Sequence, residues 1–475
     1  MIAEQVILTC KNKLIKYVFL VKNQFTQTQQ LDAYNAMPEF NNYLAYIFSS
    51  LKQVAVDLRQ VAGLLLKTNL SKIVETIAPK SPQMLHIKQL LLDAISDPSP
   101  VIRNTASSCI SVLVLGQGLK GWDDLLQKLV SLLSAKDSNV VDGAMNTLYK
   151  ICEDNAKELD KEEFNRPVQF IIPTLVNFFT YPVDSVRRDA LSAVLQFFPL
   201  WPNVLAANME KILSGIFFLT KDQSKQVRKY VCSAFVMLVD HPEFLKPHFN
   251  NIAEYMISCT AETADEGFAL DACEFWSALA EGNNRELLAA LQPFLPKYVC
   301  FFLWAVLKKN VFRLVPVLLN AMVYSELERL YLEEETSRPD KDSDIAPHIH
   351  QPKIHVHDQK LGAQMSNYDD DDDEDEDYED EDDNEFDSTN DWNLRKCSAA
   401  SLDLFSDIYG NPLLQILLPQ IQARMQPNQP WEVRESAILA IGAVAEGCKT
   451  GMEVHLQNLV PYLTAQLKDP KVSII

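Results

Sequence analysis

The stretch Asp97-Pro98-Ser99-Pro100-Val101-Ile102-Arg103-Asn104-Thr105-Ala106 decides the fold. An acidic residue, two prolines and a serine stop one helix, and a Val-Ile-Arg step with small residues behind it opens the next. The same step returns as Val186-Arg187-Arg188-Asp189-Ala190, Val227-Arg228-Lys229-Tyr230-Val231 and Val433-Arg434-Glu435-Ser436-Ala437. Weaker copies lie at Asp57-Leu58-Arg59, Val141-Asp142-Gly143-Ala144, Ala269-Leu270-Asp271 and Leu394-Arg395-Lys396. From Arg59 through Arg103, Asp142, Arg187 and Arg228 to Asp271 the steps are 44, 39, 45, 41 and 43 residues, and Arg395 to Arg434 is 39.

Each copy follows one amphipathic stretch (Leu125 to Leu133, Phe170 to Phe179, Met209 to Leu219) and precedes another. Two short antiparallel helices cannot bury their apolar faces alone, so such units stack on their neighbours. The period predicts an all-α fold, a HEAT-repeat superhelical solenoid of antiparallel helix pairs. It is too long for tetratricopeptide repeats of about 34 residues, and armadillo repeats carry an extra short helix. The small residues allow close helix approach, and the arginine is placed to reach a carboxylate in the adjacent repeat. Asp or Ser at the turn is expected to cap the second helix.

The remaining totals agree. The 475 residues exceed one compact domain, 47% are hydrophobic, and only 13 are glycine. The nine cysteines, at 10, 109, 152, 232, 259, 273, 300, 397 and 448, form no close pair and read as core thiols of a reducing compartment. Residues 298–323 are apolar, but Lys308, Lys309, Asn310 and Arg313 interrupt them, so membrane insertion is not expected. No targeting segment is evident near Leu14 to Val21. No phosphate-binding glycine loop, HExxH or GxSxG motif is present, so the chain is not expected to be an enzyme, and no cofactor is implied.

The net charge of −21 is concentrated: 16 of the 19 residues from Asp369 to Asp387 are Asp or Glu. An acidic chain repels phosphates, so nucleic acid is not the expected partner and basic proteins are. The chain divides into an atypical segment 1–24, repeats over 25–332, a disordered acidic loop over 333–390, and further repeats over 391–475. The loop separates Asp271 from Arg395 by 124 residues, and two repeats at most are expected there, the loop joining the two helices of one. The core of the run is Asp369, Asp370, Asp371, Asp372, Asp373, Glu374, Asp375, Glu376, Asp377, Glu379, Asp380, Glu381, Asp382 and Asp383. It reads either as a solubilising spacer or as a tethered polyanion that competes with a basic ligand. His348, His350, His355 and His357 beside it lack the framework a metal site needs, and no metal is expected.

Immediately after the run, Asp391-Trp392-Asn393-Leu394-Arg395-Lys396-Cys397-Ser398-Ala399-Ala400 resembles the transportins. So do Pro38-Glu39-Phe40-Asn41-Asn42-Tyr43, Lys150-Ile151-Cys152-Glu153-Asp154, Asp271-Ala272-Cys273-Glu274-Phe275-Trp276 and Ala445-Glu446-Gly447-Cys448. The resemblance covers nearly the whole chain and corresponds to the amino-terminal half of a family member. It implies a karyopherin-beta nuclear import receptor, a monomer shuttling between cytoplasm and nucleus. Its implied partners are the GTP form of the Ran GTPase on the early repeats, nuclear pore proteins, and cargo with basic or proline-tyrosine type localisation signals. The loop would couple Ran binding to cargo release. By the same resemblance Ala400, Asp403 and Leu439 begin the cargo surface, and Glu153 and Asp154 face Ran. A static HEAT scaffold, such as a phosphatase regulatory subunit with the run as a spacer, is the competing reading.

Three stretches depart from the family pattern. Residues 1 to about 24 do not resemble its first helix pair. Residues 298–313 read as an insertion, because removing them joins Leu295-Pro296-Lys297 to Leu314-Val315-Pro316 in one amphipathic helix. The sequence also ends at Val472-Ser473-Ile474-Ile475, inside a second helix of the pattern. Intron sequence carried into the reading frame would account for all three.

Overall fold

In a computed structural model of the chain the described residues are 39–74, 76–282, 287–288, 313–335 and 392–466. No strand occurs among them. They divide into two compact units, one up to Tyr230 and the other from Val231.

In the first unit, α1 (Phe40–Ser50) pairs with α2 (Val56–Ile73), and α3 (Pro82–Ala94) with α4 (Pro100–Gln117). Next come α5 (Leu125–Leu132) with α6 (Ser138–Leu159), then α7 (Val168–Val176) with α8 (Asp184–Leu195). After them run α9 (Asn203–Leu219) and α10 (Lys225–Met237), which reaches the start of the second unit. The second helices α2, α4, α6 and α8 pack one on the next. Their apolar residues recur at helical spacing, as in Ile102, Ala106, Cys109, Ile110 and Leu113 of α4, all buried. Each fully buried Leu or Ile contributes about 1.5–3 kcal/mol relative to exposure.

The turns work as their residues predict. The Asp97 side chain accepts from the Ser99 N–H at 3.0 Å and Asp137 from Asn139 at 2.9 Å, while Ser81 caps α3 ahead of Pro82. Close stacking explains the glycine in the weak copy Val141-Asp142-Gly143-Ala144. A Cβ on Gly143 would lie 1.8 Å from the Ile95 carbonyl oxygen at the end of α3.

The arginine of the repeated step does reach the following repeat. Arg59 Nη2 donates to Asp97 Oδ2 at 2.5 Å, Arg103 Nε to Asp142 Oδ2 at 2.9 Å, and Arg187 holds Asp222 through two bonds of 2.7 and 2.8 Å. Arg103 and Arg187 also each donate to two backbone carbonyls of their own turn, Asp97 and Pro98 in one case, Tyr181 and Pro182 in the other. One guanidinium thus closes its own turn and ties it to the next repeat.

The second unit contains α11 (Phe249–Thr260), α12 (Glu266–Glu281), α13 (Leu314–Ala321), α14 (Glu326–Glu335), α15 (Leu394–Tyr409), α16 (Asn411–Arg424), α17 (Trp431–Val444) and α18 (Leu456–Gln466). Here α12 packs directly on α15, and α15 on α17. The 124 residues between Asp271 and Arg395 therefore hold a single repeat step, with α13 as first helix and α15 as second. The acidic run falls between those two helices in the chain, but the run itself lies outside the described residues, as do segment 1–24, the four histidines and residues 298–312. Tyr409 Oη donates to the Leu288 carbonyl at 2.9 Å, which ties Leu288 to the end of α15.

The seven cysteines among the described residues are buried free thiols. No helix among the described residues is long and apolar enough to cross a membrane.

Candidate functional site: an acidic face on the second helices

Ala400 and Asp403 lie one turn apart on α15, and Leu439 lies on its neighbour α17. Ala400 and Leu439 are half-buried and Asp403 is exposed. Partial burial raises the Asp403 pKa, and the two charges that add to it are both negative, Asp407 and Glu446. Asp407 is four residues beyond Asp403 on α15, and Glu446 lies in the turn just after α17, so the end of that turn brings a second acidic charge to Asp403. Asp403, Asp407 and Glu446 repel one another, and that repulsion is relieved by a cation between them. The sequence reading missed Asp407 and Glu446; the helical offset of Asp407 from Asp403 was the available signal, and Glu446, beyond the end of α17, left none.

Helices α12 and α15 are held together by small polar side chains. Ser277 Oγ and Ser401 Oγ are 2.8 Å apart, and Cys273 Sγ and Ser398 Oγ 3.4 Å. Arg395 fastens α15 to α17 with two bonds to Glu435, 2.6 and 2.5 Å, donates to the Met322 carbonyl at 2.7 Å, and stacks over Tyr324 at 3.9 Å.

The stems flanking the acidic run meet. Asn393 accepts from the Lys396 N–H as the cap of α15, and its Nδ2 donates to Glu328 Oε1 at 2.9 Å. Glu328 in turn closes a capping box with Ser325 at the start of α14. Trp392, next to the run, hydrogen-bonds Glu274 of α12, whose carboxyl is pushed up to about 7 by burial against that bond's opposing pull.

Glu153 and Asp154, near the end of α6, lie in the other unit. Glu153 is half-buried and accepts from Tyr149 Oη at 2.9 Å; Asp154 is exposed and accepts from Ser111 on α4. Asp154 is thereby tied to the preceding repeat, and Glu153 to its own helix. Among the described residues no group of His, Cys, Asp and Glu has the arrangement to hold a metal ion.

A HEAT-like repeat family model matches residues 431–474. The solved structure of yeast importin-beta (Kap95p) superposes with a TM-score of 0.62 over 98% of this chain and 49% of its own, at 18% identity, which supports the fold alone. Mouse transportin-1 is 37% identical over 95% of this chain and 47% of its own length. The chain is a transportin homologue. Importin subunit beta-2 of Schizosaccharomyces pombe is likewise 35% identical over 96% of this chain and 50% of its own. This transportin homologue spans about half the length of the curated relatives it matches. Those relatives are named as transport proteins, in keeping with the absence of enzyme motifs from the sequence.

Proposed function

We propose that the chain is a nuclear import receptor that binds protein cargo through the face of Ala400, Asp403 and Leu439 and releases it when Ran in its GTP form binds the early repeats. The mutually repelling carboxylates Asp403, Asp407 and Glu446 carry this reading, because a basic localisation signal supplies the charge that the face lacks. Half-buried Leu439 adds an apolar contact for a proline-tyrosine type signal. Glu153 and Asp154 are the Ran-facing pair.

Release follows from mass action in this proposal. The acidic run is tethered between the two helices of the repeat that carries Asp403, so it competes with the same face for basic side chains. Ran binding would favour that competition. Exposed apolar residues of first helices, Leu85, Phe170 and Phe218, suit apolar side chains of nuclear pore proteins. The receptor would act as a monomer in cytoplasm and nucleus, without direct nucleic-acid contact.

The test is retention of Ran, loaded with GTP or GDP, on the immobilised chain at near-physiological salt. Selective retention of the GTP form supports the receptor reading. Retention of neither form, or of both equally, removes it in favour of a static scaffold.

A further inference from the structure

A cavity of about 190 Å³ lies in the first unit between two short turns of 3-10 helix, Leu119–Trp122 after α4 and Glu162–Phe164 after α6. The rings of Trp122 and Phe164, with Leu119 and Leu126, supply its apolar walls, and Lys120, Asp123 and Glu163 bring charge to it. A cavity of about 150 Å³ holds a benzene-sized group, so this one has room for a long side chain. Its lining shows what it attracts. The Lys120 ammonium lies 5.3 Å from the centre of the Phe164 ring and 3.4 Å from Glu163 Oε2. A cation of the chain thus already uses one aromatic face and one carboxylate of the cavity. Both partners of that ion pair are more than half exposed, and an exposed pair holds weakly. Asp123 adds a second carboxylate, paired with exposed Lys80 at 2.8 Å. Lys88 is outside the lining: bonds to the Pro79 and Gly121 carbonyls and to Gln117 hold its ammonium 5.2 Å from the Trp122 ring centre.

We propose that this cavity binds an arginine side chain of a partner protein, whose guanidinium replaces the Lys120 ammonium over Phe164 and pairs with Glu163 and Asp123. Once Lys120 swings into water on its flexible stem, the lining holds two carboxylates and two aromatic rings. That set is the complement of a planar cation. A guanidinium offers a flat face to a ring and parallel N–H donors to a carboxylate at the same time. It is also more weakly hydrated than an ammonium, so it displaces a lysine from the same place. An apolar side chain would use the walls and none of the charges. The site uses none of the residues proposed above for Ran or cargo.

Lys120 gives the proposal a signature that a merely structural bridge lacks. Lys120→Met keeps an apolar stem but vacates Phe164 and Glu163, so affinity for arginine should rise about two- to fivefold, the scale of one exposed cation–π contact. Glu163→Gln should lower it several-fold. Lys128→Met removes the same charge nearby, from an exposed pair with Asp124 outside the cavity, and should change nothing.

The experiment is fluorine NMR of the whole chain carrying fluorotryptophan, with the Trp122 resonance assigned from Trp122→Phe. The probes are N-acetyl-arginine amide, N-acetyl-lysine amide and N-acetyl-leucine amide. The arginine probe is expected to shift the Trp122 resonance saturably and at lower concentration than the lysine probe, with the gain in Lys120→Met and the loss in Glu163→Gln. A resonance that moves with no probe in either wild type or Lys120→Met overturns the site. An equal response to the leucine probe marks a plain apolar cavity and overturns it too. So does an arginine affinity that is unchanged or lower in Lys120→Met, or one that rises equally in Lys128→Met. The substituted lysines and Glu163 are exposed, and melting curves of each variant confirm that it is folded.

Discussion

Arg59 and Asp97, 38 residues apart in the chain, meet at 2.5 Å with both side chains almost wholly withdrawn from water. Asp97 also accepts from Lys52 and from the Ser99 backbone, so the carboxylate is fully engaged. Arg103 with Asp142 and Arg187 with Asp222 repeat the arrangement in the same unit, and Arg395 with Glu435 in the other. Successive repeats are thus joined by buried ion pairs as well as by apolar contact.

Breaking one such pair leaves its partner charged and buried, which costs about 3–5 kcal/mol. Arg59→Ala or Arg187→Ala is expected to lower the urea midpoint of the first unit by that equivalent. Lys80→Ala, which removes the exposed and solvent-screened pair with Asp123, is expected to leave it essentially unchanged. Equal shifts for the two classes would show that the buried pairs do not join the repeats.

Acid should act on the same pairs. Burial pushes the Asp97 and Asp222 carboxyls up, but hydrogen bonds led by Arg59 and Arg187 outweigh it and hold both below the ordinary carboxylate value. A depressed folded-state pKa gives stability that is present above the unfolded value and lost as pH falls through the folded one. The melting temperature should therefore fall as pH drops below about 4. Arg187→Ala should lose the Asp222 share of that acid sensitivity. Identical acid profiles for variant and wild type would contradict the assignment.

Glu274 has the opposite sign. Its folded pKa of about 7 lies above the ordinary 4.5, so the stability it contributes is present below 4.5 and lost as pH rises towards 7. Glu274→Gln is expected to be more stable than wild type at pH 8, by on the order of 3 kcal/mol, and no more stable at pH 4. Chemical denaturation at the two pH values measures the difference.

Gly143 has no room for a methyl group, since a Cβ would press on the Ile95 carbonyl at 1.8 Å. Gly143→Ala should cost about 1–3 kcal/mol despite the higher helix propensity of alanine. Gly442, at an exposed position of α17 with nothing within 4 Å of a Cβ, is the control, and Gly442→Ala should be neutral or stabilising.

Neutralising the acidic face is expected to weaken a basic peptide in a salt-dependent way. The triple variant Asp403→Asn, Asp407→Asn, Glu446→Gln should bind a Lys/Arg-rich peptide about tenfold more weakly at low salt, and the gap should narrow as the Debye length shortens. An unchanged affinity at 50 mM and 300 mM salt, by anisotropy, would remove the face from the proposed cargo surface.

The Val-Arg step, the Asp and Ser turn residues and the return of both at about forty residues are local signals. They determined the helix pairs, their order and the all-α stack, because helix starts and stops depend on residues within a few positions of each other. The arginine's need for a carboxylate in the next repeat was legible in the same way. Which carboxylate it meets was not. Arg59, Arg103, Arg187 and Arg395 find partners 38, 39, 35 and 40 residues on, some in the turn and some on the next second helix. The offset depends on how neighbouring helices cross, and no short stretch of sequence encodes it. The step from Asp271 to Arg395 shows the same division. Its 124 residues suggested room for as many as two repeats, and direct packing of α12 on α15 makes it one. That packing alone brings Glu274 to Trp392 and Glu328 to Asn393. Such pairs carry no periodic trace, because an inserted segment changes the distance along the chain without changing the distance in space.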